Sequence, residues 1–137
     1  MYIEIIQNTN KDIKEGAVFN ETGIIGQVVN NKSYYEVMLL TDTKSSIPLT
    51  NSKENFYCNA IGSGVSGYIT CSYNQLVWSD GHELGEKFFS SGLGGIYPKG
   101  IEIGNLESKQ IIDPSTTLLK IKLISNPLHS NLFGVIK

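Results

Sequence analysis

Ser90 and Ser91 stand side by side, His82 lies upstream of them with Asp80, Glu83 and Glu86 close by, and His129 lies far downstream. These are the residue types from which a serine hydrolase is assembled, with a hydroxyl attacking, an imidazole taking its proton and a carboxylate orienting the ring. The spacing argues against it. A nucleophile elbow reads G-x-S-x-G between a strand and a helix. Phe89-Ser90-Ser91-Gly92 lacks the leading glycine, and no helical pattern follows. The order His, acid, Ser is met only by His82, with Glu83 and Glu86 crowded between it and the serines. Groups packed onto one or two neighbouring strands cannot surround a cleft. The sequence therefore predicts no catalytic residues, and it places Asp80 and His82 in a solvated turn.

Gly62-Ser63-Gly64-Val65-Ser66-Gly67 matches the G-x-G-x-x-G of dinucleotide-binding loops. That loop must open a helix whose N-terminus faces the pyrophosphate. Here Tyr68-Ile69-Thr70-Cys71-Ser72-Tyr73 follows, rich in strand formers, so the run is expected to be a hairpin loop and no cofactor is predicted. Cys58, Cys71 and two histidines 47 positions apart show no C-x-x-C or H-x-x-x-H spacing, and no metal site is expected. Asp42 closes a strand at Thr41-Asp42-Thr43, where a carboxylate caps its own turn.

The elements that carry these groups read as strands throughout. Period-2 alternation marks Tyr2 to Gln7, Tyr35 to Leu40, Phe56 to Gly62, Gly67 to Tyr73 and Leu118 to Ile124. Ala17 to Asn20 is short and extended, Ile24 to Val29 is a β-branched strand, a strand runs from Ile101 to Glu107, and Leu132 to Ile136 closes the chain. Ser46 to Leu49 reads as an edge piece because Pro48 cannot donate to a ladder. About ten short strands in 137 residues favour small closed barrels over an open sheet. A four-residue loop over Ser63 to Ser66 sets Gly62 opposite Gly67, Ala60 opposite Ile69, Cys58 opposite Cys71 and Phe56 opposite Tyr73, all on one apolar face. Two readings of the cysteines stand: a cross-strand disulfide or two buried thiols.

Composition narrows the function. All eleven basic residues are lysine and the formal charge is −2, which disfavours a nucleic-acid partner. No apolar run approaches the ~18 residues that read as a membrane-spanning helix. Tyr57, Tyr68, Trp78 and Tyr97 are harder to place inside than the other aromatics, so they are either partner anchors or barrel-end plugs.

The densest backbone signal is Phe88 to Gly104, seventeen residues with five glycines and Pro98. Gly92, Gly94, Gly95, Pro98 and Gly100 are expected to shape turns between two strands. Ser91-Gly92, Gly94-Gly95, Tyr97-Pro98-Lys99-Gly100 and Ile101-Glu102-Ile103-Gly104 follow the order of the MreC family of bacterial rod-shape-determining proteins, and the chain resembles that family here. Gly16 to Val28 and Val37 to Asp42 resemble two further family blocks. One departure precedes the glycine run: Gly85-Glu86 stands where the family writes Gly-Asp.

The resemblance implies an all-β fold of two small antiparallel β-barrels packed side by side, each loosely like half of a chymotrypsin-type protease. We expect residues 1–45 plus 105–137 to form the first and 46–104 the second, with a division in sequence order as the alternative. It also implies a non-enzymatic scaffold of the cell-elongation machinery that regulates peptidoglycan synthesis. Its implied partners are the elongation-specific penicillin-binding transpeptidase, MreD, MreB and RodA, together with self-association. The family carries a membrane anchor and a coiled coil before its β region. Neither is present here, so the chain is expected to be the periplasmic fragment, held at the inner membrane only through that missing anchor. The implied periplasmic compartment favours oxidised cysteines. Two rival functions are a glycan- or peptidoglycan-binding module and a divergent serine hydrolase using Ser90 or Ser91.

Overall fold

The computed structural model describes residues 1–4, 16–31, 34–78, 81–129 and 133–136. Among them every regular element is a strand. The chain runs β1 (Tyr2–Glu4), β2 (Ala17–Asn20), β3 (Gly23–Asn31), β4 (Tyr34–Leu39), β5 (Ser46–Asn51), β6 (Tyr57–Gly62), β7 (Tyr68–Asn74), β8 (Lys87–Ser90), β9 (Glu102–Asp113), β10 (Thr116–Leu123) and β11 (Gly134–Ile136). β5 to β10 close into an antiparallel barrel in the order β10-β7-β6-β5-β8-β9. The remaining strands form a second antiparallel sheet, β1-β4-β3-β2-β11, drawn from both ends of the chain. The parts of the expected first strand beyond Glu4, and Asp80, lie outside the described residues.

Alternation decides what each unit buries. In the barrel, Ile47, Leu49, Ile69, Phe88, Leu119 and Ile121 point inward and are wholly buried. Ala17 and Ile24 of the second sheet, and Leu40 just past β4, join that same core. Their neighbours Val18 and Ile25 turn to the opposite face, where they pack with Val28, Tyr35 and Val37. The second sheet is thus apolar on both faces, and one face is continuous with the barrel. Asparagine and threonine side chains fasten the chain where it leaves β10. Asn20 Nδ2 donates to the carbonyl of Asn126 (2.7 Å), and the Asn126 amide donates to Thr22 Oγ1 (2.8 Å).

Four expectations change in the structure. The sheet boundary falls after Leu123, not after residue 104, because β9 pairs with both β8 and β10 and stays in the barrel. β9 also runs to Asp113 rather than stopping at Glu107; its last seven residues are all exposed, so they carry no alternation to read. β5 is an interior strand, not an edge. Pro48 lies at the end of its ladder with β8, where its carbonyl accepts the Ser91 amide (3.0 Å) and its missing N–H removes only the reciprocal bond.

The fourth change is the β6–β7 register. Ala60 pairs with Cys71 and Gly62 with Ile69, two residues from the expected pairing. The cause is the loop. Ser63 Oγ donates to the Tyr68 carbonyl (2.5 Å) and accepts the Val65 amide (3.1 Å), which keeps Gly67 in the turn and leaves Tyr68 paired with β10 but not with β6. Cys58 and Cys71 are therefore diagonal rather than opposite. The structure joins them by a disulfide, with Cα atoms 6.2 Å apart.

Candidate partner-binding surface

Six antiparallel strands give the barrel two ends. The loops 63–67 and 91–101 lie at the end that meets the second sheet. The turns 52–56 and 114–115, with residues 75–78 and 81–86, lie at the other, free end.

The glycine-rich run builds the first end. Gly92, Gly94, Gly95 and Gly100 all take positive φ, at 81°, 80°, 76° and 87°, a region L side chains rarely adopt. Ser90 is wholly buried and organises the loop around them. Its hydroxyl donates to the Pro98 carbonyl and accepts the Ile101 amide (3.0 Å), and its own amide donates to the Ile101 carbonyl (2.8 Å). Ser91 Oγ accepts the Leu93 amide (3.3 Å). The serine pair closes a loop.

Tyr97 sits in this loop and is buried, which sets it apart from an exposed anchor. Its hydroxyl reaches across to the second sheet and donates to Gln27 Oε1 (3.1 Å). Burial pushes its pKa from the ordinary 10.0 to about 12, with the Ser45 hydroxyl pulling weakly the other way. The folded chain then holds this proton more tightly than the unfolded chain does. Stability is untouched below pH 10 and falls as the pH climbs from 10 towards 12, by about 2 kcal/mol from this one group. Urea titrations at pH 8 and pH 11 should show about 1.4 kcal/mol of that loss, the tenfold difference in ionisation between the two states at pH 11. Tyr97→Phe should abolish the pH-dependent part; an equal loss in the variant would place its cause elsewhere.

Tyr68 lies on the barrel wall, partly buried, with Lys120 Nζ 4.4 Å from its ring centroid. It is not brought near the other three rings. Tyr57 and Trp78 are brought together at the free end, with ring centroids 6.4 Å apart. Tyr57 is 37% exposed, and Trp78 is half-buried against Phe56 (5.5 Å, edge-on).

The free end also holds apolar residues that the alternation pattern does not single out. Leu76, Val77, Leu84, Ile111 and Ile112 are each more than half exposed there. The turn that presents Leu76 and Val77 is tied to the β9–β10 hairpin by Gln75. Its amide donates to the Ser115 carbonyl (3.0 Å) and its Nε2 to the Pro114 carbonyl (2.6 Å). A signal was present: Leu76-Val77-Trp78 and Ile111-Ile112 are consecutive apolar residues, and in a strand or turn consecutive residues cannot all face inward. Beside them opens a groove of about 630 Å³, lined by Asn51, Lys53, Phe56, Trp78, His82 and Glu83 among others.

His82 departs from the solvated turn expected of it. It is 6% exposed, its Nδ1 lies 2.8 Å from Glu86 Oε1, and its ring stands edge-on to Phe56 (4.3 Å) and Tyr73 (5.3 Å). His129 is a surface residue near Glu21 (3.3 Å). Among the described residues, no group of three His, Cys, Asp or Glu side chains is placed to hold a metal ion. The arrangement at the free end, paired aromatics and exposed aliphatics around a polar groove, is suited to contact with another macromolecule.

Comparison with known proteins bears on the same question. Residues 2–136 match the family described as rod shape-determining protein MreC, barrel core. The cell shape-determining protein MreC of Haemophilus influenzae is 31% identical over 111 residues, which cover 77% of this chain and 30% of that protein. This chain therefore spans less than a third of that relative's length. A solved MreC structure superposes with a TM-score of 0.78 at 22% identity, over 88% of this chain and 69% of the other. A chain from the solved complex between penicillin-binding protein PBP2 and MreC of Helicobacter pylori superposes with a TM-score of 0.63 at 12% identity, over 92% and 99% respectively. At those identities the two structures establish the fold alone.

Proposed function

Because this chain belongs to the MreC family of rod shape-determining proteins, we propose that it is the periplasmic binding part of a cell-elongation scaffold and that its partner is the elongation-specific penicillin-binding transpeptidase. The observation that carries this reading is the family match over nearly the whole chain. The Helicobacter pylori complex of PBP2 with MreC supports the choice of partner. A longer protein around this chain would anchor it in the inner membrane and bring it to MreD, MreB and RodA.

The work is binding rather than chemistry. A scaffold shifts its partner between conformations only by its difference in affinity for them. The groups that could have served a hydrolase have other duties: the Ser90 hydroxyl holds Pro98 and Ile101, and the His82 imidazole is engaged by Glu86. Of the four aromatics considered as anchors, Tyr57 and Trp78 share the free end, and we assign the contact to them.

Calorimetric titration of this chain with the periplasmic part of the cognate transpeptidase tests both statements. Wild type should bind. Tyr57→Ala and Trp78→Ala should each weaken binding about tenfold or more, the scale of a buried aromatic anchor. Tyr68→Ala should leave it unchanged. Absence of wild-type binding would refute the partner; equal binding by all variants would refute the anchors.

A further inference from the structure

We propose that the Cys58–Cys71 disulfide is a redox-sensitive clamp on the free end of the barrel, closing a seam that the strand ladder leaves open. β6 pairs with β5 down to Thr50↔Tyr57, and β7 pairs with β10 out to Asn74↔Thr116. Between themselves, β6 and β7 share only Ala60↔Cys71, Ile61↔Thr70 and Gly62↔Ile69. Beyond Ala60↔Cys71 the two strands part, each following its other neighbour. The disulfide leaves Cys71, in that last pair, and reaches Cys58, two residues past it. The Cα separation of 6.2 Å lies within the span a disulfide accommodates. Past this link, among the described residues, aromatic side chains meet across the gap, Phe56 edge-on to Tyr73 at 5.1 Å and Trp78 against Phe56. The covalent bond stands where backbone hydrogen bonds stop.

Cys71 is wholly buried while Cys58 is partly exposed, so an incoming thiolate meets the Cys58 sulfur and Cys71 leaves. A second thiol of the reductant then resolves the mixed disulfide, and the reductant departs oxidised. In the closing direction the two cysteine thiols lose two protons and two electrons. The electrons pass to a disulfide-bearing oxidant, which departs as two thiols. Opening removes the tie from the aromatic plug that carries Trp78 and borders the groove. The clamp acts on the fold itself and holds whether or not the transpeptidase is the partner.

Trp78 is the only tryptophan and reports the state of this end. The whole chain is equilibrated with oxidised glutathione or with excess dithiothreitol, and its thiols are counted by alkylation and intact mass. On reduction the Trp78 emission maximum should move to the red. Amide exchange across residues 56–58 and 72–78 should quicken on the order of a hundredfold, the factor that closing a 13-residue loop takes from the open ensemble. Exchange across residues 119–122 should stay as it was. The wavelength of maximum emission is read rather than intensity, because a disulfide quenches tryptophan without shifting it. C58A/C71A should reproduce the reduced state; if that variant does not fold, the oxidised and reduced wild type carry the comparison alone. Unchanged emission and exchange on reduction, two alkylated cysteines in the oxidised sample, or exchange quickened equally throughout the chain would each overturn the proposal.

Discussion

Gly62→Ala should destabilise the protein by about 3 kcal/mol, the upper end of what overpacking one methyl costs. A Cβ at Gly62 would lie 1.9 Å from the Asp42 carbonyl oxygen, 2.4 Å from its carbon and 2.6 Å from the Thr41 carbon. All three are backbone atoms, so no side chain can swing aside. The same backbone is hydrogen-bonded to the hairpin: the Gly62 amide donates to the Ser45 carbonyl (3.2 Å) and the Gly64 amide to the Thr41 carbonyl (2.9 Å). The Asp42 carboxylate further stiffens the segment by accepting the Lys44 amide (2.8 Å). Relief requires peeling residues 41–45, the link between second sheet and barrel, away from β6. Urea unfolding followed by far-UV circular dichroism measures the loss. A change below about 1 kcal/mol would mean that the link yields freely and that the close approach has no structural weight.

Phe56→Ala should cost about 4 kcal/mol, within the range for emptying the site of a buried aromatic. Phe56 is 3% exposed, and its ring meets Tyr73, Trp78, His82 and Phe88, with centroids 5.1, 5.5, 4.3 and 6.3 Å away. Truncation leaves a cavity at the free end, between β6 and β7 where those two strands no longer pair. Edge-to-face ring contacts add to the loss beyond the area buried. Phe56→Leu should recover roughly half, since it restores volume without the aromatic edges. Thermal and urea unfolding of the three proteins give the comparison, with Trp78 emission shifted to the red in the alanine variant while it is still folded. A cost under about 1.5 kcal/mol would assign the plug to surface packing.

The β6–β7 hairpin shows where sequence information ends. Which side chains face inward was legible: Phe56 and Ala60, and opposite them Ile69, Cys71 and Tyr73, are buried as their alternation requires. Which residue faces which was not. A shift of one position would turn every side chain over and is excluded by the pattern, but a shift of two keeps every face and is invisible to it. The Ser63 hydroxyl and the Tyr68 carbonyl settle the matter in a loop that carries no apolar pattern. His82 and Tyr97 make the same point. Each is a single polar-tipped ring amid turn residues, and its burial depends on a partner distant in sequence, Phe56 for one, Gln27 for the other. The outer half of β9 was silent for the opposite reason, since no face of it is buried.

From sequence alone came the all-β class, the family likeness and the inward faces, because each is written in local spacing, in runs of glycine and in period-2 alternation. Only the tertiary structure decided where the barrel begins and ends, which register joins β6 to β7, and that Tyr57 and Trp78 meet while Tyr68 and Tyr97 lie apart. Those outcomes depend on pairing between distant strands and on hydrogen bonds made by loops, and neither leaves a periodic trace along the chain.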